Sequence, residues 1–209
     1  MKYTILALLI LSCGNSKELN SKMGIKELLN KHREAYLKFF ESKKSDCDGA
    51  SEALLEMKND EQEKIYRLYR FDCLGRNEDD SFKIIEFNND TYLNHQQIEF
   101  EYEGLQIELS PFFWNGCEIH FKEKEYKFES YIEWVKKWID IEDKSEKNTE
   151  IEFSELIHNA QPPEFVNEVY TLSIDFGTSK VESFLELFRI LKGIGVNRIK
   201  IDSKSMFEV

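Results

Sequence analysis

Residues 165–202, FVNEVYTLSIDFGTSKVESFLELFRILKGIGVNRIKID, decide how the rest of the chain is read. Residues 165–176 are rich in β-branched and aromatic side chains and read as a strand. After Gly177 the period changes: Val181, Phe184, Leu185, Phe188 and Leu191 fall on one face of a helix over residues 179–192. Residues 196–202 return to strand character. A β-α-β unit follows, whose strands run parallel if they share a sheet, with a right-handed crossover. In this reading Gly177 makes the sharp turn and Ser179-x-x-Glu182 forms a capping box on the helix. Asp175 covers nearby free N–H groups or faces solvent.

Within that stretch, Asp175-Phe176-Gly177 resembles the magnesium loop of protein kinases, and Asp175-x-Gly177-Thr178 resembles the first phosphate loop of actin-like and sugar-kinase ATPases. Either resemblance implies further motifs. The ATPases turn from that loop into a second strand, whereas here a helix follows. The kinases require an upstream Gly-rich loop, a strand lysine and a His-Arg-Asp, which the chain does not have. Turn chemistry is therefore the expected role of this segment, and no nucleotide or other cofactor is expected.

Working toward the N-terminus, residues 128–139 show the helical period again, with Phe128, Tyr131, Ile132, Val135, Trp138 and Ile139 on one face. A charged connection follows, and residues 151–161 suggest a short helix stopped by Pro162-Pro163. From Ser81 to Phe121 the period is two. SFKIIEF, QQIEFEYE and LQIELSPFFW alternate, a turn is expected at Glu103-Gly104, and Asn115-Gly116 is a hairpin signal between PFFW and CEIHF. These segments predict an antiparallel meander over residues 82–121, with Pro111 at an edge or bulge. Upstream, Ile25, Leu28, Leu29, His32, Tyr36, Phe39 and Phe40 predict an amphipathic helix, and residues 50–58 begin a second helical pattern. Residues 64–74 fit either period and are read as a helix ended by Gly75. The expected fold class is α+β: N-terminal helices, an antiparallel β-meander, then a helix and a C-terminal β-α-β unit in one mixed sheet, with residues 24–209 as one domain.

The chain opens with MKYTILALLILSC. A basic residue precedes an apolar run too short to span a bilayer as a mature helix. Ile10-Leu11-Ser12-Cys13 resembles a bacterial lipobox, with an aliphatic residue at −3, a small residue at −1 and then cysteine. The resemblance implies that residues 1–12 are a lipoprotein signal peptide and that Cys13 becomes the lipidated N-terminus. Residues 13–23 would then be a polar tether, and the domain would lie in the cell envelope, facing the periplasm or exterior. Two acyl chains anchor stably where one does not.

In that compartment disulfides are permitted. Cys47 and Cys73 flank a segment whose closure is worth about 3 to 4 kcal/mol, so they are the candidate pair; the alternative is three buried thiols at Cys47, Cys73 and Cys117. No Cys/His spacing suggests zinc. His32 reads as a core histidine, His120 as a strand-end surface residue, and no Ser, Cys or carboxylate pattern marks a catalytic centre. With 28 Lys+Arg against 40 Asp+Glu, giving a formal net charge of −12, nucleic acid is disfavoured and a basic protein partner favoured. Phe113, Trp114 and Trp134 are candidate partner-binding aromatics; the alternative places them in a core layer under the helices.

These features point to a lipid-anchored, non-enzymatic binding protein. The tail SIDFGTSKVESFLELFRILKGIGVNRIKI is similar to those of uncharacterised immunity-like proteins, which implies protection against an interbacterial toxin. An envelope assembly lipoprotein and a hydrolase with a dispersed site are the alternatives.

Overall fold

A computed structural model describes residues 23–89, 92–122, 127–142 and 153–203. Cys13 and the leader lie outside the described residues, as do residues 143–150 of the charged connection and residues 151–152 of the segment expected to be a short helix. Among the described residues the architecture is α+β, with three α-helices and two sheets.

Helix α1 (Ile25–Lys44) buries Ile25, Leu28, Leu29, His32, Tyr36 and Phe40, the three-and-four spacing read from the sequence. The next segment departs from expectation. Residues 50–58 do not form a helix: Ala50–Glu56 is strand β1, and residues 64–74 give one 3-10 turn (Lys64–Arg67) followed by strand β2 (Leu68–Arg76). With β3 (Phe82–Ile85) these make a three-stranded antiparallel sheet in the order β1-β2-β3. The ambiguity has a physical source. Strand β2 is covered on both sides, burying Arg70 and Asp72 as well as Phe71 and Cys73, so its sequence carries no alternation to distinguish it from a helix. Besides the backbone ladder, two contacts hold the segment leading into β1 against β2. Cys47 and Cys73 are joined by a disulfide with Cα atoms 5.9 Å apart. Gly49 passes so close to β2 that a Cβ there would fall 1.8 Å from the Leu74 carbonyl oxygen.

The second sheet carries the core. Its order is β4-β5-β10-β6-β9-β7, with β8 also paired to β9; the strands are Ile98–Tyr102, Leu105–Leu109, Arg198–Asp202, Cys117–Phe121, Val169–Asp175, Asn159–Ala160 and Glu164–Val166 respectively. β4 and β5 form the expected hairpin, with Glu103 and Gly104 both at positive φ (49° and 80°), the geometry of the two-residue turns that match strand twist. The meander stops there. β10 inserts between β5 and β6, parallel to the first and antiparallel to the second, so Asn115-Gly116 does not join two paired strands. Phe82 and Ile84 sit on the exposed edge strand of the small sheet, not in the main one. β9 and β10 are both antiparallel to β6 and hence parallel to each other, with α3 (Val181–Gly193) as the crossover. The strand expected over 165–176 is a hairpin of β8 and β9, turned at Asn167 and Glu168 with φ of 52° and 64°. Residues 153–161 contain no helix and end in β7.

Inward-facing Ile107, Leu109, Ile119, Leu172, Ile199 and Ile201 alternate with polar neighbours and are covered on one side by the helices. Helix α2 (Glu129–Ile139) buries Tyr131, Trp134, Val135 and Ile139. Trp114 and Trp134 are 1% and 2% exposed, so neither is a partner-binding aromatic. Their indole N–H groups donate to the Gly177 and Ser183 carbonyls, each at 2.9 Å, which satisfies the one polar atom that would otherwise resist burial. Both rings pack on Phe176, which stacks on Phe184 at 4.2 Å. Phe113 alone of the three is half-buried; it meets Tyr92 edge-to-face at the mouth of a cleft.

Candidate functional site: a carboxylate cleft between the sheets

The two sheets meet through the backbone of His158. Its N–H donates to the Asp175 carbonyl on β9 at 3.0 Å, and its carbonyl accepts from Arg70 N–H on β2 at 2.8 Å. One residue thus ties β2 to β9, and its ring, 1% exposed, is carried into the space between them. On one side of the ring, Nε2 lies 3.2 Å from Glu52 Oε1; on the other, Nδ1 lies 3.2 Å from Asp72 Oδ1. The first is a hydrogen bond. The second is a charge contact without hydrogen-bond alignment, so His158 Nδ1 and Asp72 Oδ1 are both buried with no hydrogen-bond partner among the described residues.

Glu52 reaches the ring because its backbone sits at φ 55°, a left-handed conformation that a non-glycine residue in a strand rarely adopts. Such strain persists only where surrounding contacts hold it. Here they do: the Glu52 carboxylate accepts Ser154 N–H at 2.9 Å, the Ser154 and Thr178 hydroxyls, and His158. Burial alone would raise the Glu52 pKa, but the His158, Ser154 and Thr178 bonds overcome it and hold the group down to about 2. Burial would likewise lower His158. The Asp72 and Glu52 carboxylates outweigh burial and hold the imidazole well above its ordinary value, which favours its charged form.

Residues 175–178, read as turn chemistry, close this cluster from below. Asp175 Oδ1 accepts Gly177 N–H at 2.8 Å, as expected of a turn aspartate. Gly177 has φ 47°, and a Cβ there would fall 2.1 Å from His158 Cδ2, so the glycine is also needed to let the imidazole lie against the loop. The expected capping box is not formed: Lys180 occupies the cap position without a side-chain cap bond, and Ser179 Oγ meets Ser183 Oγ at 3.0 Å. Arg33 of α1 supports the loop instead, donating to the Ser179 and Thr178 carbonyls.

Above the cluster opens a cleft of about 570 Å³, walled by β2 and residues 86–89 on one side and by β6 and β9 on the other. Asp72, Glu86, Glu118 and Asp175 line it, with Asn88, Asn115 and Gln161 among the neutral polar groups. Burial, with the Asp72 field adding and the His158 field opposing, pushes Asp175 up to about 7. Glu86, at the solvent-exposed mouth, is raised by partial burial and then by the Asp72 and Asp175 carboxylates. The Arg70 guanidinium is spent on the Ile139, Glu52 and Asp140 carbonyls. Tyr36 of α1 completes the site. Its hydroxyl is buried with no hydrogen-bond partner among the described residues, and burial together with the Asp175 and Asp72 charges keeps it protonated.

Of the other candidate residues, Phe113 and Cys117 line the cleft and His32 lies away from it. His32 is a core histidine, 2% exposed, stacked on Phe112 at 4.2 Å, and held down to about 3 by burial and by His95, whose Nε2 is 2.9 Å away. Cys117 is a buried thiol raised by its burial, which leaves it without thiolate character. The sequence reading did not find Glu52, Asp72, Glu86 or His158 as a group, since they come from separate segments with no shared spacing; the one signal was Asp175-Phe176-Gly177, which adjoins them. No family model, curated protein or solved structure matches the chain.

Proposed function

We propose that the protein is a lipid-anchored binding protein of the bacterial cell envelope, and that its acidic cleft receives a lysine or arginine side chain of a basic partner protein. A toxin from a competing cell is the most concrete such partner. The observation that carries this reading is Asp72 Oδ1. It is a carboxylate oxygen on the cleft wall, buried with no aligned hydrogen bond among the described residues, held only by its 3.2 Å charge contact with His158, and flanked by Glu86 and Asp175. A buried acceptor of this kind costs free energy that an incoming N–H donor recovers. Because Asp175 is protonated until about pH 7, cation binding releases a proton and tightens as pH rises through that value.

Titration of the full chain with blocked pentapeptides carrying a central Arg, Lys, Leu or Glu tests the cleft. Binding of the Arg and Lys peptides alone, stronger on the alkaline side and weakened about tenfold or more by Asp72→Asn, is expected. Equal affinity for the Leu or Glu peptide, or indifference to Asp72→Asn, overturns the reading. The anchor is tested separately: Cys13→Ser releases the protein from the membrane fraction if Cys13 carries lipid, and leaves it there if the lipobox resemblance misleads. One observation favours a second reading, hydrolysis. Asp175, held to about 7 beside ionisable Asp72 and Glu86, has the proton affinity of a general acid. Turnover of a neutral glycoside or peptide, abolished by Asp175→Asn, would replace the binding reading.

A further inference from the structure

On the outer face of the main sheet, away from the helices, three side chains converge. Glu118 and His120 alternate along β6, and Asp202 stands directly opposite Glu118 on β10. His120 Nε2 lies 2.9 Å from Asp202 Oδ1 and 3.6 Å from Glu118 Oε2, and the three atoms are all within 4.8 Å of one another. We propose that Glu118, His120 and Asp202 form a binding site for a divalent transition-metal ion, Zn²⁺ being the best fit, on the wall of the cleft.

Ligand geometry supports it first. Zn–N and Zn–O bonds of about 2.0 to 2.1 Å at tetrahedral angles separate ligand atoms by about 3.4 Å. The observed 2.9 and 3.6 Å bracket that spacing, so the ion needs only small side-chain rotations. The surroundings support it independently. His120 Nδ1 is 3.0 Å from Thr171 Oγ1 on the next strand, an oxygen placed to accept its proton and turn the Nε2 lone pair toward the carboxylates. Lys200 Nζ holds Asp202 Oδ2 at 2.7 Å, which leaves Oδ1 as the ligand oxygen. Glu118, 7% exposed, also lines the cleft, and its Oε1 meets the Ser173 hydroxyl at 3.4 Å. One nitrogen and two oxygens suit zinc or manganese better than calcium, which takes oxygen ligands alone. Three protein ligands leave a fourth position for water or for a group entering the cleft.

Calorimetric titration of the chelator-treated full chain with ZnCl₂, MnCl₂ and CaCl₂ tests the site, with thermal unfolding as a second readout. One equivalent of Zn²⁺ is expected to bind and to raise the unfolding midpoint. His120→Ala and Asp202→Asn, both half-exposed on the outer face, should each weaken binding at least about tenfold while circular dichroism stays unchanged, and Thr171→Val should weaken it by about tenfold through the orientation of His120. Absence of zinc binding, equal affinity for Ca²⁺, or zinc binding unaffected by His120→Ala would each overturn the proposal; the last would place the ion elsewhere, for instance at His32 and His95.

Discussion

Replacing Asp175 by Asn should leave stability nearly unchanged at about pH 4 and increase it at about pH 8, because the native protein holds this carboxyl protonated and the unfolded chain does not. The folded pKa is raised from the ordinary 3.8 to about 7. As pH rises between these values the unfolded state gives up its proton first, so the unfolded state binds fewer protons and stability falls with rising pH. Three pH units at about 1.4 kcal/mol each set an upper bound of about 4 kcal/mol on the loss above pH 7. Asp175 is only half-buried on the cleft wall, and solvent screening there cuts this by roughly half, to about 2 kcal/mol. Asparagine is the neutral isostere, and its Oδ1 can still accept the Gly177 N–H, so the variant escapes the loss without losing the turn. Urea unfolding of both proteins at the two pH values reads the titration of Asp175 together with its effect on the neighbouring Glu86 and His158. A stability difference that is the same at both pH values, or a variant that is weaker at about pH 8, would refute the placement of Asp175 as a buried, proton-retaining carboxyl.

Breaking the disulfide with Cys47→Ser and Cys73→Ser should cost about 3.5 kcal/mol by denaturant titration, from the entropy of a loop spanning a separation of 26 residues. Gly177→Ala should destabilise by more than about 3 kcal/mol, since it combines an unfavourable φ with a methyl driven into the His158 ring; unaltered thermal stability would show that the loop can move aside. Trp134→Ala should cost about 3 to 5 kcal/mol by chemical denaturation, as expected for a filled core position with a satisfied indole, whereas a surface aromatic would lose well under 1 kcal/mol.

The parts of the fold legible in the sequence are those that bury one face only. Helix α1 shows its stripe because its other side meets solvent, and β5, β6 and β10 alternate because the helices cover a single face of the sheet. Strand β2 is hidden by burial on both sides, and residues 50–58, which contain β1, carry Ala53, Leu54 and Met57 at spacings that a helix would also produce. Strand order is invisible to local pattern: nothing in CEIHF says that its neighbour will be RIKID rather than LQIEL. The site was the least legible part. Glu52, Asp72, His158 and Asp175 meet only because a strained backbone at Glu52 and the bridging backbone of His158 bring separate segments together. For Trp114 and Trp134 the sequence left partner surface and core layer both open, and the structure takes the core, where the Gly177 and Ser183 carbonyls accept their N–H groups.

The position of β10 sets the order in which this protein can be built. It occupies the middle of the main sheet yet comes after every other described strand, so β5 and β6 have no partner for their facing edges until it arrives. Until then the growing chain presents two bare strand edges and an apolar surface awaiting Ile199 and Ile201, a state prone to pairing with the wrong chain. Sheet closure is therefore a late event, requiring long-range contacts across most of the domain. A chain cut before Arg198 would lose the centre of its sheet rather than a dispensable end.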